Sequence, residues 1–503
     1  MPCEAAVSLP ADDSVSLPAN VEGPAKAAMD AFKEGRHAKA VELAKPLAEK
    51  GNAEAQYLMG YAYETGQGVE ASRDKALEFY RKAAASKHKD AIYRMSFLLL
   101  ASDKEAEREQ ARKALESAAK DDVEVAGRIL GEAYLRGLLT PKPDPEKAVS
   151  WWQQASDAGD IPSMLLLARF YEGQFGFPER KDLEKSMTCY AKAAGLGNTG
   201  AMAALGSRYL SGDEKIRNEK KGREWLKKAI EAKEYSAYLA LGDYEENVKK
   251  DLKAALADYE RGKDAGQVDC MLRCADFYLE GKGTDKDTDR GMSLLRQAAD
   301  AGSAVAQFRL AVQLLSPEKP ETADLLAGYK YMLAAASSNL AQAQNEIGLF
   351  YLSGKLGAAD TTAGVAWLTR AAKAGYAQAQ NNLAVLYDRG IGGLEKNIEN
   401  AGQLYALAAK QGHGPATLAL ARLVNQGSGT KADPVKAWAL ASLAGERGEK
   451  DAAALVKDIE AKLTGAQKAD ALKELEQLKS GKAGPEDVKP PAATDAKKKK
   501  SGN

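Results

Sequence analysis

The strongest constraint on this chain is that it repeats itself about every 36 residues. Runs of small residues that end in glycine recur along it. The interval is 36 residues from Gly266 to Gly302 and 37 residues from Gly375 to Gly412. A period of this length is typical of repeat proteins, in which each unit buries its apolar face only by stacking on its neighbours. We therefore expect an array of about eleven units over residues 52–448.

Each unit is predicted to begin with a helix, named helix A, because the aligned units share columns at helical spacing. An apolar residue follows the first column after four positions, as Leu383 follows Ala379, and a tyrosine such as Tyr387 comes later. Residues four apart lie on one face of a helix, and small residues let neighbouring helices approach closely. The columns therefore predict packing. The first column consists of Ala55, Ala91, Ala126, Ser163, Ala201, Ala237, Cys270, Ala306, Ala343, Ala379 and Ala416.

A second helix, named helix B, is predicted in each unit after a loop that often carries glycine, as at residues 66–68. Asp144 and Asp433 each precede a proline, which places a hydrogen-bond acceptor at the N-cap and proline in the first turn. Asp182 and Asp251 are predicted to cap helices in the same way. The glycine that closes each unit suits the left-handed conformation just after a helix end.

The two ends of the array are expected to carry caps. We predict an N-terminal helical cap at 24–51 and C-terminal capping helices at 449–480, because a solenoid needs polar surfaces over its end faces. Residues 1–23 and 481–503 contain too few large apolar residues to bury a core. They are predicted to be a disordered N-terminal segment and a disordered Lys/Pro-rich tail.

A helical-pair repeat with Leu-Gly or Leu-Ala on helix A, a Gly-x-Gly loop and an Ala-Ala-x-x-Gly ending resembles the Sel1-like repeat family, which is similar to tetratricopeptide arrays. The resemblance implies an all-α, right-handed superhelical solenoid of antiparallel helix pairs. It also implies a scaffold or adaptor whose partners bind a concave face lined by helix A. Repeats two and eight replace the loop glycines, at 102–104 and 316–320, and repeat six is shortened around 247–249.

Charge and composition exclude several classes of partner. The 71 Lys and Arg residues equal the 71 Asp and Glu residues, so no basic excess is available to neutralise nucleic-acid phosphates. No apolar run reaches the roughly 18 residues that cross a bilayer, so no transmembrane segment is expected. The four cysteines are too few for a disulfide framework, which favours a cytoplasmic location. A signal peptide removed before Cys3 would make the protein periplasmic or lipid-anchored instead.

The residues that most often carry chemistry are interpreted here as structural. Cys270 and Cys274 are four apart, as a metal or redox pair can be, but they occupy packing columns that are apolar elsewhere. His37, His88 and His413 lie in different units without a ligand cluster and are interpreted as chance surface positions. No nucleophile-elbow or phosphate-loop motif occurs. We predict no enzyme activity, no metal and no cofactor.

The most basic stretch inside the array, Lys215–Lys228, has two interpretations. It alternates with Glu219 and Glu224, which is typical of the solvated side of a B helix. A docking site for an acidic partner is the alternative.

Polar residues of helix A between the packing columns are the predicted partner-binding residues. We expect them to hydrogen-bond a partner's backbone, although polar residues also fill the wet side of any amphipathic helix. They are Gln342, Asn345, Gln378, Asn381, Asp388, Arg389, Arg422 and Asn425. The predicted function is a non-enzymatic scaffold or adaptor for protein or peptide partners. The alternative is an enzyme regulator or a weak hydrolase that binds cell-wall ligands, which predicts a ligand-sized pocket with convergent polar groups.

Overall fold

The computed structural model describes residues 22–121, 123–316, 322–354, 359–429, 431–481 and 484. Regular structure in these ranges is helical, and no strand occurs in them. The chain divides into two compact units, Met1–Lys250 and Asp251–Asn503, which we call unit 1 and unit 2. Cys3, the lysine run at 497–500 and most of the loop at 316–320 lie outside the described residues.

Unit 1 is a succession of α-helices in which each helix packs on the next. It ends with a π-helical turn, Glu245–Lys249, in the segment where the sequence shortens the sixth repeat. Its helices are α1 (Lys26–Lys33), α2 (His37–Glu49), α3 (Ala53–Thr65), α4 (Arg73–Ala85), α5 (Lys89–Leu100), α6 (Glu105–Ala118), α7 (Val123–Leu135), α8 (Pro145–Ala158), α9 (Ile161–Tyr171), α10 (Leu183–Gly195), α11 (Thr199–Ser211), α12 (Glu219–Glu231) and α13 (Ser236–Tyr244).

Unit 2 continues the same alternation, and at its end α24 packs against both of the helices that follow it. Its helices are α14 (Leu252–Asp264), α15 (Val268–Glu280), α16 (Thr288–Asp300), α17 (Ala304–Leu315), α18 (Thr322–Ser337), α19 (Ala341–Ser353), α20 (Thr361–Lys373), α21 (Ala377–Arg389), α22 (Ile398–Lys410), α23 (Gly414–Gln426), α24 (Pro434–Glu446), α25 (Ala452–Glu460) and α26 (Gly465–Lys479). The odd-numbered helices α3 to α23 are the A helices, and the even-numbered helices α4 to α24 are the B helices. The predicted all-α solenoid of helix pairs is confirmed.

Aspartate side chains begin the B helices as predicted. The carboxylates of Asp144, Asp182, Asp251 and Asp433 each accept a hydrogen bond from the backbone amide three residues later, at 2.9–3.0 Å. Each bond satisfies one of the amides that have no partner within the first helical turn. The cap therefore fixes where each of these helices starts.

The tyrosine column closes the two helices of a pair. The amide of the capping residue donates to the tyrosine carbonyl at the end of helix A, at 2.8 Å from Asp182 to Tyr171 and from Asn397 to Tyr387. In five pairs a cation of helix B also lies over the tyrosine ring, which is a favourable contact. These cation and ring pairs are Lys75 and Tyr63, Lys147 and Tyr134, Lys185 and Tyr171, Lys221 and Tyr209, and Arg290 and Tyr278.

Two glycines of the first A–B loop have separate tasks. Gly66 follows α3 with φ of 72°, a left-handed conformation that favours glycine. Gly68 has φ of 81°, and a Cβ on it would lie 2.6 Å from the backbone carbonyl of His37, at the start of α2. The second glycine therefore lets the loop touch the preceding helix α2.

Small residues on helix A admit large side chains from helix B. A Cβ on Gly60 would lie 2.5 Å from the ring of Tyr80, and a Cβ on Gly131 would lie 2.3 Å from the indole of Trp152. Both rings are fully buried. The close approach that the small columns predict is thus filled by aromatic side chains within a pair.

The helices at the two ends also bury apolar side chains. Met29 and Phe32 of α1 pack in one cluster with Leu58 and Met59 of α3. Leu475 and Leu478 of α26 belong to the cluster that contains Leu440 of α24. These contacts support the proposal that residues 24–51 and 449–480 cap the array.

Candidate binding surface on the A helices

The A-helix face of unit 2 is defined here as the outward side of α17, α19, α21 and α23. A helix advances about 100° per residue, so the position before the small column and the position six after it lie on one side. Gln342 and Leu349 hold these positions in α19, and both side chains are exposed. The residues between them at the packing columns, Ala343 and Ile347, are fully buried.

An apolar groove opens on this face. It has a volume of about 570 Å³ and is formed by α17, α18 and α19. Val312 and Leu349 remain 42% and 37% exposed, which leaves apolar surface in contact with water. The groove is lined by Val312, Leu315, Ser316, Met332, Glu346, Leu349, Phe350, Leu352 and Ser353. Its lining therefore contains one ionisable group, Glu346.

Glu346 has no cation beside it in the described part of the chain. Its Oε1 accepts a hydrogen bond of 2.9 Å from Nδ2 of Asn345. One repeat earlier the arrangement is different, because Arg309 of α17 pairs with Asp276 of α15. Glu346 occupies the position of Arg309 in its own helix, and Val312 occupies the position of Asp276. The groove thus has a carboxylate where the preceding repeat has a complete ion pair.

A chain of polar side chains continues from Glu346 across α19, α21 and the start of α23. Asn382 donates from Nδ2 to Oδ1 of Asn345 at 2.9 Å, and Gln378 donates to Oδ1 of Asn382 at 3.2 Å. Oε1 of Gln378 lies 2.9 Å from Nε2 of His413. Nδ1 of His413 accepts the amide of Ala416, so Nε2 carries the proton of the neutral ring and donates to Gln378.

The structure separates the predicted partner-binding residues by exposure. Gln342, Gln378, Arg389 and Arg422 are exposed. Asn381, Asp388 and Asn425 are half-buried. Asn345 is fully buried, and both ends of its amide already bond to Glu346 and Asn382. Its prediction as a residue that contacts a partner is corrected, because it supports the surface from beneath.

The sequence interpretation missed the apolar residues of this face. Val312, Leu349 and Val385 occupy one column, six positions after the small residue. The same column holds Glu132 in α7 and Arg169 in α9. Three successive apolar residues in a column that is polar in the five A helices from α7 to α15 were the available signal.

The groups that line the cavities are poorly suited to acid–base catalysis. The apolar groove offers a single carboxylate, whereas hydrolysis by paired carboxylates needs two. A smaller cavity of about 290 Å³ in unit 1 is lined by Glu105, Arg108 and Glu109 among others. Hydrogen bonding to Arg112 lowers the pKa of Glu109, which is the opposite of what a general acid requires. The described residues contain no cluster of potential metal ligands.

The cysteines lie in the interior, as their columns predict. Cys270 and Cys274 are fully buried, and Cys189 is nearly so. Burial raises the pKa of the Cys274 thiol to about 12 and that of Cys189 to about 11. A thiol held protonated is a poor nucleophile and a poor metal ligand.

Two histidines have structural roles that the sequence interpretation missed. His88 and His413 are the N-caps of α5 and α23, and Nδ1 of each accepts the amide three residues later. Nε2 of His88 lies 3.1 Å from Glu54 of the preceding A helix. Their interpretation as chance surface positions was wrong, because histidine at an N-cap bonds the helix end and the neighbouring repeat together.

The basic stretch at 215–228 is engaged within unit 1. Arg223 pairs with Glu219 at 3.0 Å and with Glu245, and Lys228 lies over the ring of Trp225. These contacts support the interpretation of a solvated B-helix side. None of the described helices is both long and apolar enough to span a membrane.

Two solved structures are similar to this chain. A protective antigen of uropathogenic Escherichia coli strains, described as displaying an SLR fold, aligns over 92% of this chain and 99% of its own, with 24% identity and a TM-score of 0.49. A Sel1 repeat protein from Oxalobacter formigenes aligns over 48% of this chain and 98% of its own, with 24% identity and a TM-score of 0.41.

Curated relatives match parts of the chain. Chitin synthase regulator SKT5 of Saccharomyces cerevisiae is 27% identical over 48% of this chain, and chitin synthase regulatory factor 3 of Schizosaccharomyces pombe is 29% identical over 56%. DAP3-binding cell death enhancer 1 of Mus musculus is 32% identical over 35%. The matched regions cover 36%, 27% and 34% of these relatives, so this chain corresponds to about a third of their lengths.

The Sel1 repeat family model matches nine segments of the chain. They are 53–88, 128–160, 161–198, 199–233, 268–303, 304–340, 341–376, 377–413 and 414–449. The two intervals between them that are long enough for a further unit contain α5 with α6 and α13 with α14. Repeats two and six of the predicted array fall there, and both depart from the consensus loop. Since the matched segments make up more than half of its residues, this chain belongs to the Sel1 repeat family.

Proposed function

We propose that this protein is a non-enzymatic adaptor that binds a protein or peptide partner on the A-helix face of unit 2. The observation that carries the proposal is the apolar groove, in which Val312 and Leu349 are exposed at a column that is polar in the five A helices from α7 to α15. Apolar residues that cluster at an exposed depression are the usual anchor points of protein interfaces.

Exposed polar residues of the A-helix face would supply the rim of such an interface. Gln342 is exposed at the N-terminal end of α19, and Gln378 and Arg389 are exposed on α21. Amide and guanidinium groups at a rim hydrogen-bond a partner's backbone while water retains access to them. The eight predicted residues therefore divide into rim candidates and Asn345, which holds the surface from within.

The preorganised polar chain favours binding as well. Gln378 bonds to Asn382 and Asn382 bonds to Asn345, so Gln378 loses little side-chain freedom when a partner docks. The chain of polar side chains also connects three successive A helices, which keeps their spacing fixed. A preformed surface of this kind suits a partner that binds without refolding the array.

The relatives support an adaptor or regulator over a hydrolase. Two of them are named as regulators of chitin synthase, and that description is theirs. A regulatory role for this chain would act through binding, because the groove offers one carboxylate and no second group to share acid–base work with it. The pocket predicted by the hydrolase alternative has a suitable volume but lacks the convergent polar groups.

Site-specific photocrosslinking in the full chain tests the proposal. A photoreactive phenylalanine analogue replaces Leu349 in the groove or, as the control, Leu407, an exposed leucine of the B helix α22. We expect a discrete crosslinked partner from position 349 and none from position 407. The same products from both positions, or none from position 349, would contradict the proposal.

A further inference from the structure

The single carboxylate that lines the groove indicates which charge a partner would carry there. We propose that the apolar groove takes a peptide segment whose apolar side chains fill the space beside Val312 and Leu349 and whose Lys or Arg pairs with Glu346. This inference rests on the proposed function and adds the class of partner. It is carried by the contrast between Glu346 and the ion pair of the preceding repeat.

Arginines on three other A helices pair with an acidic residue of a neighbouring repeat. Arg309 pairs with Asp276, Arg208 pairs with Glu172 at 2.7 Å, and Arg128 pairs with Asp160 at 2.9 Å. Each pair joins one repeat to the next through its A helix or the residue that caps it. Glu346 breaks this pattern, because its neighbour in the preceding repeat is Val312 rather than a cation.

The negative charge of Glu346 affects the pKa of a neighbouring tyrosine. Burial raises the pKa of Tyr376, and the charge of Glu346 raises it further. A partner that covered Glu346 with apolar atoms alone would remove water from a carboxylate and return nothing, which is costly. A cation on the partner compensates that loss, so charge selects among peptides that fit the apolar part equally well.

The size of the groove suits a few side chains rather than a whole domain. Its volume of about 570 Å³ lies within the range of roughly 300–1,000 Å³ that is typical of ligand sites. Ser316 and Ser353 lie at its edge and offer hydroxyl groups to a backbone. An acidic segment, such as residues 1–22 of this chain with Asp12 and Asp13, would bring like charge to Glu346.

Three pools of short synthetic peptides test the inference on the full chain. The pools share randomised Leu, Ile, Val, Phe and Met at the same positions and carry only Lys, only Gln or only Glu elsewhere. Binding is measured by fluorescence polarisation at low and high salt. We expect the Lys pool to bind about three- to tenfold more tightly than the Glu pool, with a smaller ratio at high salt.

Two variants and their matched controls locate the effect. Glu346→Gln is expected to remove the preference for Lys over Glu, and Glu395→Gln, at an exposed loop position, is expected to keep it. Leu349→Ser is expected to weaken all three pools, whereas Leu407→Ser leaves them unchanged. Leu349 and Leu407 are both exposed, so neither change opens a cavity in the core.

The outcomes separate the inference from the proposed function. If Leu349→Ser weakens every pool but Lys and Glu pools bind equally, the groove is a binding site and the charge preference is wrong. If the Lys preference persists in Glu346→Gln, another carboxylate is responsible and the inference is overturned. If no pool binds, or Leu349→Ser changes nothing, the proposed function fails together with the inference.

Discussion

Nε2 of Gln380 donates a hydrogen bond of 3.2 Å to the carbonyl oxygen of Ala372, eight residues earlier. Gln380 lies on α21 and Ala372 near the end of α20, so the bond joins one repeat to the next. The same carbonyl also accepts the amide of Gly375. Equivalent bonds run from Gln56 to Ala48, from Gln307 to Ala299 and from Gln344 to Ala336, at 3.0–3.1 Å.

This bond is expected to contribute to stability at each of these junctions. Gln380→Met keeps a long unbranched side chain but removes the donor and also Oε1, which accepts a hydrogen bond of 2.9 Å from Gln411. The expected cost is about 0.5–1.5 kcal/mol of unfolding free energy. Gln403→Met, at an exposed position of α22, is the control and is expected to change stability by less than about 0.5 kcal/mol. Urea unfolding followed by circular dichroism measures both, and equal midpoints would contradict the assigned role.

In the last repeat, the equivalent carbonyl accepts its hydrogen bond from a different residue. Thr417 stands where repeats one, eight, nine and ten carry glutamine. Nη1 of Arg447 donates to the carbonyl of Ala409 at 3.0 Å and to Oγ1 of Thr417 at 2.7 Å. Arg447→Ala is expected to destabilise the C-terminal repeats by about 1–3 kcal/mol, because it removes a charged donor from a half-buried site.

Restoring glutamine tests this interpretation. In the double variant Thr417→Gln, Arg447→Ala, the new glutamine is expected to bond Ala409 and recover roughly 0.5–1 kcal/mol relative to Arg447→Ala alone. The single variant Thr417→Gln in the presence of Arg447 is the control. A double variant no more stable than Arg447→Ala would show that the two side chains are not interchangeable.

The fold was predictable because small and apolar columns at helical spacing have one physical meaning. The first column, including Ala379 and Cys270, is fully buried, apart from Ala201 at 1% exposure. The glutamine column was not predictable in the same way. Gln380 directly follows Ala379, and its sequence position predicts a polar surface residue. Its role depends on a carbonyl of the neighbouring helix, which lies beside it only when the helices are packed.

The candidate surface was predicted in part for a related reason. Periodicity placed Gln342, Gln378 and Arg422 on the exposed side correctly. It could not show that Asn382 of the next repeat covers Asn345, because contacts between repeats depend on how the helices stack. Polar residues alone do not predict the groove, because its defining feature is an apolar column.

Substitutions on opposite sides of α21 separate packing from binding. Ala379→Leu adds a large side chain at a fully buried position and is expected to cost about 1–3 kcal/mol. Asn381→Ala is half-buried and is expected to leave the melting temperature nearly unchanged. If Asn381 contacts the partner, its variant weakens peptide binding. An equal loss of melting temperature in both variants would show that the faces of α21 are assigned wrongly.

Gly68, the second glycine of the first A–B loop, is expected to tolerate substitution less than a glycine of similar φ with open space around it. Gly68→Ala combines a φ of 81° with a Cβ only 2.6 Å from the carbonyl of His37. Gly51→Ala has a φ of 90° but meets no atom within 4 Å, so it reports the backbone cost alone. That cost is about 1–2 kcal/mol. We expect Gly68→Ala to exceed it by at least about 1 kcal/mol in denaturant unfolding, and equal costs would exclude the close contact.

Protonation of His413 is expected to destabilise unit 2 in mild acid. Burial lowers the pKa of His413, and the charge of Glu449 opposes that shift only partly. Above the unfolded-state value of about 6.5 the ring is neutral in both states, and Nδ1 caps α23. As the pH falls below about 6.5, the unfolded chain takes up the proton before the folded chain does, so stability declines until the folded-state pKa is passed.

Replacing His413 by asparagine isolates the effect of protonation, because asparagine side chains cap α3 and α11 at Asn52 and Asn198. His413→Asn keeps an acceptor for the amide of Ala416 but does not titrate. Near pH 8 the variant is expected to match the wild type within about 1 kcal/mol. Between pH 7 and about pH 5 the wild type should lose more stability than the variant, since only the wild type binds the extra proton on unfolding. Parallel stability curves over that range would exclude His413 as a pH-dependent cap.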